Sequence, residues 1–93
     1  MEKEKQQGVT MKENKIGKMV RSYRLDNNMT QLDLATRLGY ESMQFVSLFE
    51  RGLSKVPVSI MGDLSAILGI PKKKFLDILI SDYKNKVTKK IGA

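Results

Sequence analysis

Apolar residues recur three and four positions apart along most of this chain, and no segment alternates with period two for long enough to argue a strand. In residues 15–27 the periodic positions are Ile16, Met19, Val20 and Tyr23, with Asn14 placed to cap the start and the pair Asn27-Asn28 suited to the turn that ends the helix. Thr30 then caps a second helix over residues 31–38, with Asp33 in position to complete a capping box and Leu34, Ala35 and Leu38 on one face. Gly39 supplies a turn. Ser42 is the expected cap of a third helix over residues 43–51, which Gly52 stops in a left-handed conformation. Pro57 suits the entry of a fourth helix running through Ile60, Leu64, Ile67 and Leu68 to Gly69, and Pro71 opens a fifth with Phe75, Leu76, Leu79 and Ile80. The pattern therefore predicts an all-α domain of five helices around one small core.

The stretch 31–52, QLDLATRLGYESMQFVSLFERG, is the part that points to a function. Winding its second helix at about 100° per residue separates two faces. Phe45, Val46 and Phe49 fall together as an anchor, while Gln44, Ser47, Leu48 and Arg51 lie opposite and are free to meet a partner. A helix fits the major groove of B-form DNA, and a glutamine there can pair with both hydrogen-bonding groups of adenine. Leu48 either meets thymine methyl groups or is an ordinary surface apolar residue, and the pattern leaves both open.

Composition narrows the classes. There is no cysteine, so neither a disulfide nor a thiolate metal site can form, and no histidine, which removes the commonest general base and metal ligand. The ten acidic residues are scattered without a catalytic spacing, so we expect no enzyme, no catalytic residues, no metal and no cofactor. The formal charge of +7 attracts polyanions, but its placement is uneven. Residues 1–14 carry three lysines and three glutamates; residues 72–93 carry seven lysines against two aspartates. Most of the excess thus lies outside the stretch that would read DNA. No apolar run approaches the ~18 residues of a membrane span, and MEKEKQQG has no apolar core of a secretion signal, so a cytoplasmic location and no membrane partner are expected.

The segments TQLDLATRLG and VSLFERG resemble the helix-turn-helix domain of Cro and phage-repressor-type transcription regulators, whose pattern is T-Q-x-x-L-A-x-x-L-G followed by I/V-S-x-apolar-E-x-G. Thr30, Gln31, Leu34, Ala35, Leu38, Gly39, Val46, Ser47, Phe49, Glu50 and Gly52 match, and the resemblance extends from Ile16 to about Leu79. It implies a five-helix, lambda-repressor-like fold that binds double-stranded DNA. Gln31, at the start of the second helix, would hold a backbone phosphate; Met43, Gln44, Ser47 and Leu48 would meet base edges; Arg51 and Lys55 would sit near phosphates. Arg24 would pair with Glu50, a structural ion pair joining the first helix to the end of the reading helix. Two departures stand out. The turn GYES is one residue longer than in the shortest form of the family, which leaves the first base-contacting residue unfixed, and Pro71 stands where a capping serine is common.

The expected organisation is an arm over residues 1–13, disordered and carrying Lys3, Lys5 and Lys12, a helix-turn-helix domain over 14–81, and a basic C-terminal helical extension over 82–93. The fifth helix has more apolar surface than one domain needs. Phe75, Ile78 and Leu79 form one set; Leu76, Ile80, Tyr83 and Val87 form another, at spacings of four, three and four. The second set implies either a homodimer through the C-terminal helix or a wider contact within the chain. The function expected is a sequence-specific DNA-binding transcription regulator, a repressor by placement. The alternative is a protein-interaction module on the same fold, such as the antitoxin of a toxin–antitoxin pair, which leaves room for a protein partner.

Overall fold

The computed structural model describes residues 15–92, so the arm at 1–13 and the capping role of Asn14 lie outside the described residues. The described residues form five α-helices: α1 Lys15–Asp26, α2 Gln31–Arg37, α3 Gln44–Glu50, α4 Met61–Leu68 and α5 Lys72–Ile91, with a 3-10 turn, Val58–Ile60, leading into α4. No strand occurs among the described residues. The architecture is the all-α, lambda-repressor-like one: α1 packs on α3, α4 and α5, while α2 packs on α3.

The periodic positions explain the packing. Val20, Leu34, Ala35, Val46, Phe49 and Leu64 are wholly buried, and Leu68, Ile70 and Phe75 nearly so. Ala35 is small at the place where α2 and α3 meet, which lets the two backbones approach. A run of edge-to-face rings continues the core outward: Tyr40 meets Phe45 at 5.0 Å between centroids and Phe45 meets Phe49 at 5.5 Å, so the turn before α3 is clamped to the helix. Asn27 adds a polar tie. Its side-chain amide donates to the Tyr23 carbonyl at 2.7 Å and to the Leu68 carbonyl at 3.1 Å, joining the ends of α1 and α4.

The first three helices end by the same local device. At Asn28 (φ 57°), Gly39 (φ 91°) and Gly52 (φ 81°) the backbone turns left-handed. In each case the following amide reaches back five residues: Met29 to the Arg24 carbonyl, Tyr40 to Ala35 and Leu53 to Leu48. The left-handed residue itself bonds three back, to Leu25, Thr36 and Phe49. Carbonyls that a helix end would leave orphaned are thereby satisfied within a few residues.

Helix starts are less uniform. At α2 the Thr30 hydroxyl accepts from the Asp33 amide at 3.0 Å and the Asp33 carboxylate accepts from the Thr30 amide at 2.9 Å, so the capping box is complete. Thr30 holds the Asp33 carboxyl below its ordinary value of 3.8, through its backbone amide first and its side chain second, and the Arg37 charge adds to the effect. At α3 the expectation of a helix from residue 43 needs correction. Met43 occupies the cap position, and the Ser42 hydroxyl accepts from the Gln44 amide at 3.3 Å, a long bond that leaves the helix proper to begin at Gln44. The fourth helix also begins later than expected. Pro57 starts the 3-10 turn instead, and Met61 takes the buried position while Ile60 is only half-buried.

Pro71 stands at the cap position of α5, whose 20 residues make a rod of about 30 Å. Phe75, Ile78 and Leu79 pack on the core. No helix among the described residues is long and apolar enough to cross a membrane.

Candidate nucleic-acid interface

Helix α3 is held from its inner side by one carboxylate. Glu50, the last residue of α3, has a side chain only 1% exposed. Arg24 of α1 grips it through two parallel bonds, Nε to Oε2 at 2.7 Å and a terminal nitrogen to Oε1 at 2.9 Å. The other terminal nitrogen of Arg24 donates to the Met29 carbonyl at 2.8 Å, in the segment between α1 and α2. Gln31, the first residue of α2, donates its side-chain amide to Glu50 Oε1 at 3.1 Å. Three helices and a loop therefore converge on a single charge. Planar guanidinium and carboxylate match each other's geometry, which fixes orientation as well as charge. Among the described residues no buried side-chain nitrogen or oxygen is left without a partner.

The outer side of α3 carries the reading candidates. Gln44 is exposed, Met43 is 49% exposed just ahead of it, and Ser47 and Leu48 are half-buried. Arg51 and Lys55 are exposed beyond the C-terminal end of α3. Val46 and Phe49 face the core and Phe45 is half-buried, so the two faces separate as the periodicity requires. Gln31 is half-buried rather than free, because one of its amide hydrogens goes to Glu50. Met43, Gln44, Ser47 and Leu48 lie within a turn and a half of one another, whereas Gln31 enters through its bond to the Glu50 junction.

Residues 20–75 match the sequence model of a helix-turn-helix family, the one typified by Cro and the phage repressors. The chain belongs to this family. Comparison with curated proteins and with solved structures gives no match. Family membership makes the protein a double-stranded DNA-binding regulator of the helix-turn-helix kind, a family that is generally non-enzymatic. Among the described residues no group of three or more His, Cys, Asp or Glu side chains could hold a metal ion.

Two further contacts involve the lysines at the start of α5, one across the domain and one at the four-residue spacing of a helix face. The Lys74 ammonium lies over the Tyr23 ring at 5.5 Å from its centroid, and Lys73 pairs with Asp77 at 3.2 Å. These contacts give two of the three lysines at the start of α5 a partner, although lysine there opposes the helix dipole. A Tyr–Lys spacing of fifty-one residues has no periodicity to reveal it.

Proposed function

We propose that the protein is a sequence-specific transcription regulator that represses by occupying its operator, with α3 in the major groove of double-stranded DNA. Met43, Gln44, Ser47 and Leu48 meet base edges, and Gln31, Arg51 and Lys55 meet phosphates. The observation that carries this reading is the opposed arrangement of α3: Glu50 is locked from within by Arg24 and Gln31, while Gln44 on the outer side is exposed. A rigid support behind an exposed glutamine is what base recognition requires. The reading unit is residues 14–81, with the arm 1–13 before it and the basic extension 82–93 after it. The protein works in the cytoplasm, without a cofactor, and as a homodimer through α5, so that two reading helices reach successive major grooves.

Selection of bound sequences from random duplex DNA tests the reading. The intact protein should enrich a palindromic motif, and Gln44→Ala should lose preference at one A·T pair per half-site, costing about 1–3 kcal/mol of discrimination. No enrichment, or an unchanged motif with Gln44→Ala, overturns it. A protein-interaction role of the antitoxin kind is favoured by one observation, the exposed apolar side chains Leu76, Ile80 and Tyr83 on α5.

A further inference from the structure

The chain has six methionines and no cysteine, so oxidation at sulfur can occur on thioethers alone. Four of the six lie among the described residues, and the fold treats them unequally. Met61 is 6% exposed in the core, and Met19 and Met29 are half-buried against it. Met43 is 49% exposed and stands outside the core. Its backbone carbonyl accepts from the Ser47 amide at 2.9 Å and so opens the hydrogen-bond ladder of α3, while its side chain makes no cap bond. An accessible thioether with no capping duty therefore sits where α3 begins, one residue before the exposed Gln44.

We infer that Met43 is a site of modification by hydroperoxides, and that its oxidation weakens the hold on DNA without unfolding the domain. The step is a two-electron oxygen transfer. The sulfur lone pair attacks one peroxide oxygen, the O–O bond breaks and an S–O bond forms. The departing oxygen takes up the proton of the transferred one and leaves as water, or as an alcohol from an organic hydroperoxide. Sulfur is oxidised, peroxide is reduced, and no other reactant is needed. The peroxide must reach the sulfur, so Met43 reacts ahead of Met61. The product suits a DNA groove less well. A thioether is apolar and flexible and lies readily against thymine methyl groups, whereas a sulfoxide is polar and chiral, with an oxygen that only accepts hydrogen bonds. Beside base-edge acceptors and phosphates that oxygen meets like partial charge, and stripping its water costs affinity. Bound DNA would cover the same side chain, so a bound duplex should shield Met43 from the oxidant.

The inference rests on the reading of α3 as the base-contacting helix, and the experiment separates the two. The full chain is treated with hydrogen peroxide, with and without the duplex enriched from random sequences, and sulfoxide at each methionine is followed by peptide mass spectrometry. Met43 should oxidise before Met19, Met29 and Met61, and the duplex should slow it. Protein oxidised at Met43 should bind the duplex about tenfold more weakly, the size of one lost base contact, with its helix content unchanged by circular dichroism. Met43→Leu, whatever its own affinity, should keep that affinity through the same treatment, which sets aside Met1 and Met11 in the arm outside the described residues. Oxidation of Met43 no faster than that of Met61 overturns the site. Unaltered binding after oxidation, an equal loss in Met43→Leu, or a fall in helix content overturns the effect on DNA. The DNA reading fails separately, when the untreated protein enriches no sequence; that takes the effect on DNA with it, and the order of oxidation still decides the site.

Discussion

At the junction of α1, α2 and α3, a carboxylate sealed from water receives an arginine and a glutamine; along the outer half of α5, Lys84, Lys86, Lys89 and Lys90 stand in solvent. The same kinds of charge do different work in the two places. A buried charge is costly to desolvate, so it persists only where every partner is in position, and its partners then fix the relative placement of the elements that carry them. An exposed lysine fixes nothing, but its field reaches several ångströms and draws in a polyanion. Orientation of α3 is therefore set by few charges, and the positive field of the tail by many.

The largest expected effect separates the two regions directly. Arg24→Ala should destabilise the fold by about 3–5 kcal/mol, because Glu50 would stay buried without its guanidinium. Urea denaturation measures this, and a loss below about 1 kcal/mol would make the junction no different from a surface pair. Replacing both partners together, Arg24→Met with Glu50→Leu, should recover most of the stability, since a well-packed apolar pair avoids the desolvation cost. A double variant as unstable as the single would mean that the bonds to Met29 and Gln31 carry more than the ion pair does.

Next in size is Gly39→Ala, expected to cost about 1–2 kcal/mol of thermal stability. An alanine methyl at Gly39 would meet nothing within 4 Å, so any loss reports the left-handed backbone alone. A smaller effect concerns pH. The folded Asp33 carboxyl lies below its ordinary 3.8, so the stabilisation from the capping box is complete above that value and lost as pH falls from it through the lowered folded value. Acid titration of helix content should show α2 loosening in this range, and Asp33→Asn should remove that pH dependence. The smallest effect on stability belongs to the tail. Changing Lys84, Lys86, Lys89 and Lys90 to glutamine should move unfolding by no more than about 0.5 kcal/mol each, yet weaken DNA binding and flatten its salt dependence. A salt slope unchanged by all four would place the attraction elsewhere on the chain.

What could be read from the sequence follows the range of the interaction. The capping box at Thr30 and Asp33, the left-handed closures at Gly39 and Gly52, and the buried faces of α1 and α3 are local, and each is visible within a few residues. The Arg24–Glu50 pair spans twenty-six residues and has no periodicity; only the family resemblance pointed to it. The bond of Gln31 to Glu50 and the tie from Asn27 to Leu68 were invisible for the same reason. Boundaries shifted where a side chain offered two solutions. Ser42 looks like a cap, but its hydroxyl reaches only the second amide after it, and Pro57 fits a helix entry yet opens a 3-10 turn. The candidate reading face was legible because amphipathic alternation on a helix is itself a short-range pattern.

The closure of α2 bears on how this scaffold can change. Tyr40 bonds back to Ala35 and its ring lodges against Phe45, so the exit direction of α2 and the seat of α3 are each secured by neighbours rather than by the tether of Glu41 and Ser42 between them. That tether can lengthen or shorten by a residue with little disturbance to the core. Because Gln44 is bonded directly to the clamped Phe45, such a change would alter the side chains that lead into α3 and leave Gln44 in its place on the helix.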